Sequence, residues 1–158
     1  MEILAGNRQL SLILLLLATA CLVLPSIQAT KVKYCDGKGN YNVKVHGVHI
    51  SPEPVTPGKP ATFNISASTG QTVSGGKAAL EVSYFGVRVH REDHNLCEET
   101  SCPISPGNFV LSHTQTLPAF TPPGSYTLRM KMEDANKHQL TCFSFSFKIG
   151  FGSSVSSM

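Results

Sequence analysis

The chain has 158 residues, with 13 Lys and Arg against 10 Asp and Glu, a net charge of +3, five cysteines and no tryptophan. That length suits one domain with one core better than two. The small, dispersed positive charge and the lack of a basic motif argue against nucleic acid as a partner.

The first segment reads as an export leader. Arg8 supplies positive charge, and Leu10–Leu24 is a nearly unbroken apolar run of 15 residues, shorter than the roughly 20 a membrane span needs. Pro25 and Ser26 break the run, and Ile27-Gln28-Ala29 resembles a cleavage site. Cleavage there leaves 129 residues (158 − 29) and removes Cys21. The expected organisation is a leader over 1–29, a folded domain over 30–151 and a small polar tail over 152–158. The tail carries no lipid-anchor or retention signal. A soluble monomer in the secretory pathway follows, in an extracellular or a vacuolar or lysosomal lumen.

Four cysteines remain, and an even count in a short exported domain reads as a disulfide framework. Of the three possible pairings, the expected one joins Cys35 to Cys142 across the domain and Cys97 to Cys102 around a small loop. A four-thiolate zinc site would want two close pairs, and only one pair is close.

The elements are then almost all strands. Lys31, Lys33, Lys38 and Lys44 form the one concentration of positive charge, read as a solvated face that needs no function, with attraction to anionic membrane surfaces as the alternative. Val43 and Val45 point one way. Val48 and Ile50 continue with shifted parity, so Gly47 marks a bulge. Pro52, Pro54, Pro57 and Pro60 leave little room for a ladder. Ala61, Phe63, Ile65 and Ala67 alternate with Thr62, Asn64, Ser66 and Ser68, which predicts one buried and one wet face. Asn64-Ile65-Ser66 is a glycosylation sequon on the wet face. Leu80, Val82 and Tyr84 form an inward row, Gly86 breaks it, and Val87 and Val89 resume with opposite parity. A polar loop is expected around Glu92-Asp93 and Glu98-Glu99, beside the small disulfide. Phe109 and Leu111 open the next strand. Tyr126, Leu128, Met130 and Met132 form another, and after a polar turn Phe143, Phe145, Phe147 and Ile149 finish the last. About seven strands with turns between them predict an all-β fold, an immunoglobulin-like two-sheet antiparallel β-sandwich.

Catalytic chemistry is not visible. There is no nucleophile elbow, no H-E-x-x-H, no phosphate-binding loop and no dinucleotide motif. His90 and His94 are four apart, but on a strand that spacing does not bring them to one metal. His46 and His49 flank a bulge. The expectation is neither enzyme, nor cofactor, nor metal site. Phe63, Tyr84, Phe109, Tyr126, Phe143, Phe145 and Phe147 fall on inward faces; composition favours a filled core, but if the sheets splay the same rings line a hydrophobic slot, and composition does not distinguish the two.

Several short segments in a fixed order carry more information. They are Cys35-Asp36; Val48-His49-Ile50-Ser51-Pro52 with Pro57-Gly58; Phe85-Gly86-Val87-Arg88-Val89; Cys97 to Cys102 with Pro103-Ile104; Leu117-Pro118; Pro123-Gly124-Ser125-Tyr126; Glu133-Asp134; and Leu140-Thr141-Cys142-Phe143. In this order the chain resembles the MD-2-related lipid-recognition family, near its Niemann-Pick type C2-like branch and the plant members described as phosphatidylglycerol/phosphatidylinositol transfer proteins. It departs from the animal sterol-binding pattern in lacking an early small-loop disulfide and in carrying Phe143 where that branch has a tryptophan.

The resemblance implies a lipid cavity between the sheets and non-enzymatic lipid binding and transfer, sterols first and phospholipids second. Its implied rim is Val87, Val89, Phe120 and Pro122. Its implied interior is Phe63, Tyr84, Phe109, Leu111, Tyr126, Leu128, Phe143 and Phe145. A transient membrane contact and a membrane-protein acceptor are the implied partners. The alternative is an extracellular adaptor that presents lipid to a receptor, marked by an exposed apolar patch at the cavity mouth.

Overall fold

Alternating residues that are apolar on one side and polar on the other bury one face of a sheet, and two such sheets must cover each other. The computed structural model describes residues 9–14 and 29–152. The expected leader and tail lie mostly outside the described residues. Eight strands follow in order: β1 (Lys33–Tyr34), β2 (Val43–Ser51), β3 (Pro60–Thr69), β4 (Gly76–Tyr84), β5 (Val87–Asn95), β6 (Gly107–Thr116), β7 (Gly124–Asp134) and β8 (Gln139–Ile149). A single helical turn, Leu96–Glu99, joins β5 to β6.

The strands form two antiparallel sheets, of order β1-β8-β7-β4-β5 and β2-β3-β6. This is the expected two-sheet sandwich. Gly47 does mark a register shift, between Val45 and Gly47 against β3. The predicted polar loop around Glu92-Asp93 is corrected: both belong to β5, whose pairing with β4 runs to Asn95 opposite Lys77. Ion pairs explain how so polar a segment holds an edge strand, since Lys77 reaches Asp93 at 2.8 Å and Arg88 reaches Glu81 at 3.4 Å across the β4–β5 ladder.

The two bridges join Cys35 to Cys142 and Cys97 to Cys102. The first ties β1 to the start of β8. The second closes a short loop over the helical turn, whose Leu96 is fully buried. Asn95 caps that turn, its side-chain oxygen accepting from the Cys97 N–H at 2.9 Å.

The core fills only part of the length of the sandwich. Ile65 and Ala67 of β3, Ala78 of β4, Leu111 of β6, Met130 and Met132 of β7 and Leu140, Phe143 and Phe145 of β8 are all buried in one packed cluster. The antiparallel registers place Met130 opposite Phe143 and Leu80 in one sheet and Ile65 opposite Leu111 in the other, and Ile65, Leu80, Leu111 and Met130 meet between the sheets. The other end of the same strands is hollow.

Candidate functional site

The hollow end is a cavity of about 460 Å³, within the range of roughly 300–1,000 Å³ typical of small-molecule sites. Four strands build its apolar wall: Phe63 from β3, Leu80 at the border of the packed core with Val82 and Tyr84 from β4, Tyr126 and Leu128 from β7, and Phe147 and Ile149 from β8. The segment from Leu117 to Pro122 covers one end. Edge strands β5 and β6 supply a polar flank of His90, Glu92, His113, Gln115 and Thr116.

Aromatic rings build most of the apolar wall. Phe63 meets Phe147 edge to face at 5.4 Å, and Tyr126 stacks on Tyr84 at 4.5 Å. Both tyrosines turn their hydroxyls away from the apolar space. Tyr84 donates to the Pro123 carbonyl at 3.2 Å and Tyr126 to the Pro122 carbonyl at 2.8 Å. The rings line the cavity while the hydroxyls pin the loop beside its mouth. Burial, with a smaller effect from Tyr84, pushes the Tyr126 phenol above its ordinary value. Gly124 makes this packing possible: its φ is +146°, and a Cβ there would lie 2.9 Å from Tyr84 Cε2.

The mouth is apolar and exposed. Phe85, Val87, Val89 and Phe120 are 87%, 66%, 55% and 87% exposed. Phe85 leans on Tyr84 at 4.4 Å between ring centroids. These residues belong to the β4–β5 hairpin and the loop after β6, which flank the opening.

Of the rim implied by the resemblance, Val89, Phe120 and Pro122 line the cavity, while Val87 stands on the surface beside it. The implied interior divides. Phe63, Tyr84, Tyr126 and Leu128 line the cavity. Phe109, Leu111, Phe143 and Phe145 do not, because they occupy the packed end: Phe143 is 0% exposed, Phe145 3% and Leu111 2%. Phe109 is half-buried beside His46, Ala67 and Val110. The sequence reading missed Leu80, Val82, Leu117, Phe147 and Ile149. All but Leu117 were already assigned inward by alternation, which gives the face of a strand but not the level along it. Asn64 lies on the outer side of β3, half-exposed, opposite His49 and Ser112.

Sequence spacing does not reveal the polar flank. His94 on β5 and His113 on β6 come together from different sheets, with ring centroids 4.7 Å apart. Glu92 and Glu99 lie on either side of them. Burial pushes the Glu92 carboxyl upward, but the adjoining His94 and His90 outweigh it and hold it below the ordinary carboxylate range.

The comparisons agree with this architecture. The ML domain family model matches residues 29–149. A phosphatidylglycerol/phosphatidylinositol transfer protein of Schizosaccharomyces pombe is 31% identical over 127 residues, covering 75% of this chain and 68% of its own. An MD-2-related lipid-recognition protein of Arabidopsis thaliana is 31% identical over 145 residues, 87% of this chain and 88% of its own. The crystal structure of a Niemann-Pick type C2 protein from Japanese carpenter ant shares the fold at a TM-score of 0.60 and 16% identity, over 76% of this chain and 99% of that one. With a family match across nearly all of the described sandwich, the chain belongs to the ML domain family.

Proposed function

We propose that this protein binds one lipid in the cavity between its sheets and carries it between membranes, without catalysis. The observation that carries the reading is the 460 Å³ cavity, walled by Phe63, Val82, Tyr84, Tyr126, Leu128 and Phe147 and open beside an exposed apolar rim. Burying a few hundred Å² of apolar lipid surface at about 25 cal/mol per Å² yields several kcal/mol before association costs. Few directional contacts are needed, so cavity shape does most of the selecting.

The names of the relatives support a phospholipid such as phosphatidylinositol or phosphatidylglycerol, whose acyl chains suit the apolar wall while the charged headgroup stays at the open mouth. The sequence resemblance put sterols first, and a sterol is the second ligand class. Phe85, Val87, Val89 and Phe120 suit transient contact with a bilayer, since exposed apolar patches mark interaction surfaces. The same patch would serve the adaptor alternative, in which the loaded protein docks stably on a receptor. The two disulfides suit an oxidising secretory lumen. Cleavage after Ala29, glycosylation at Asn64 and a monomeric state complete the reading.

A vesicle transfer assay tests it. Donor vesicles carry fluorescent phosphatidylinositol in one arm and a fluorescent sterol in the other. Protein-dependent transfer in either arm supports lipid carriage, and the faster arm names the preferred class. No transfer and no lipid bound in either arm would overturn it.

A further inference from the structure

We infer that Glu92, His94 and His113 form a binding site for a divalent transition cation of the zinc type, with Glu99 as the carboxylate that orients both histidines. The sequence reading expected no metal because it weighed His90 with His94. The fold instead pairs His94 with His113, across the gap between the edge strands of the two sheets.

The geometry is that of a ligand set. Glu92 Oε1 lies 3.4 Å from His94 Nε2 and 3.7 Å from His113 Nε2. Ligand atoms bonded tetrahedrally to zinc at about 2.0–2.1 Å sit about 3.3–3.4 Å from one another. One atom from each of the three side chains falls within 4.8 Å of the others. The far side of each ring meets a second carboxylate: Glu99 Oε1 is 3.1 Å from His113 Nδ1 and 3.5 Å from His94 Nδ1. Metal-binding histidines commonly donate the ring N–H opposite the metal to such a carboxylate, which fixes the tautomer and aims the free nitrogen.

Polar satisfaction points the same way. The His94 Nε2 atom is buried with no hydrogen-bond partner, as is Glu99 Oε2. Buried polar atoms are rarely left unpaired, and each such case calls for an explanation. A cation bound to Nε2 of both rings and to Glu92 would satisfy the first. Among the described residues the only cationic partners within 4.0 Å of Glu92 and Glu99 are histidines. With the rings neutral, two carboxylates face no lysine or arginine, and one divalent cation balances them. Two histidines and one carboxylate with an open further position suit zinc and its first-row neighbours better than magnesium or calcium, which prefer all-oxygen sites.

The supporting structure is rigid. Glu99 sits on the helical turn capped by Asn95 and closed by the Cys97–Cys102 bridge. Glu92 and His94 share one face of β5, and His113 is 8% exposed on β6. A bound ion would tie β5 to β6 along the polar flank of the cavity.

The test uses the full-length secreted protein, stripped of metal and lipid and titrated with Zn²⁺ or Co²⁺ alone. The expected result is one ion per chain at micromolar affinity or tighter, with visible Co²⁺ bands of a four- or five-coordinate site. Histidine ring NMR signals of His94 and His113 should shift together while those of His46, His49 and His138 stay in place. His94→Ala and Glu92→Gln should each weaken binding at least about tenfold, and Glu99→Gln by about 10–100-fold as an outer-shell change. No stoichiometric ion, or binding that shifts other histidines instead, would overturn the proposal. So would affinity unchanged in the folded His94 and Glu92 variants. The wild-type spectra decide the matter even if a variant fails to fold.

Discussion

Phe143→Ala separates the two ends of the sandwich. Phe143 is 0% exposed, among the largest fully buried side chains, and lies next to Cys142 of the long bridge. Its register partners are Tyr34 on β1 and Met130 on β7, and its ring stacks on Phe145 at 6.3 Å. Neighbours on every side leave little room to collapse, so truncation costs about 3–5 kcal/mol. For a domain of this size each kcal/mol moves the melting temperature by roughly 3–5 °C, giving a fall of about 9–25 °C. Because Phe143 is outside the cavity wall, lipid affinity of the folded variant should stay within about twofold, well under 1 kcal/mol. Phe120→Ala is the converse: 87% exposed at the mouth, it should move stability by no more than about 0.5 kcal/mol while weakening lipid binding. Circular dichroism melts and titration with a fluorescent phospholipid read both. A Phe143→Ala protein that melts within a few degrees of the parent yet binds lipid tenfold more weakly would refute this division. That is the outcome the family resemblance implies, which places Phe143 in the cavity interior.

Three further outcomes follow from the same structure. Peptide mapping without reduction should recover Cys35 with Cys142 and Cys97 with Cys102, and removing the first bridge should cost more. The chain-entropy model gives about 4.7 kcal/mol for a loop of about 100 residues and roughly 2 for one of about six. Gly124→Ala should be destabilising and weaken lipid binding together, because its Cβ meets Tyr84 at 2.9 Å and its φ is +146°. Equal stability and affinity would show that Tyr84 is not held as described. Asp36 accepts the N–H groups of Gly39, Lys38 and Asn40, and these, Gly39 foremost, hold its carboxyl below its ordinary value. A depressed folded value stabilises above the unfolded one, and the effect fades as pH falls through the folded value. Asp36→Asn should therefore lower the melting temperature alike at pH 5 and pH 7, with the gap closing only as pH falls below the ordinary aspartate range. A gap that closes between pH 7 and pH 5 would contradict the assignment.

Much of the fold was legible because strand periodicity is a local property. Phe63, Leu80, Val82, Tyr126, Leu128 and Phe147 each announce their inward face through the polar residues beside them. What alternation omits is position along the strand. Phe145 and Phe147 have the same parity and similar neighbours, yet one is packed core and the other cavity wall. The difference arises from what lies opposite in the second sheet, a long-range fact. Exposure at the mouth was hidden for a related reason. Phe120 follows Leu117-Pro118 in a loop with no period to read. The Glu92–His94–His113–Glu99 group was invisible because His94 and His113 lie on different sheets, and no local spacing links them.

The central claim is that the hollow end of the sandwich holds a lipid. Native mass spectrometry of the purified protein after incubation with phosphatidylinositol-containing vesicles tests it most directly, beside a Val82→Trp variant. Val82 lines the cavity, so the larger ring should grow into empty space and leave the fold intact. The account predicts one lipid per wild-type chain and a folded but lipid-free variant. A wild-type chain that stays lipid-free, or a variant that loads as fully as wild type, would contradict it.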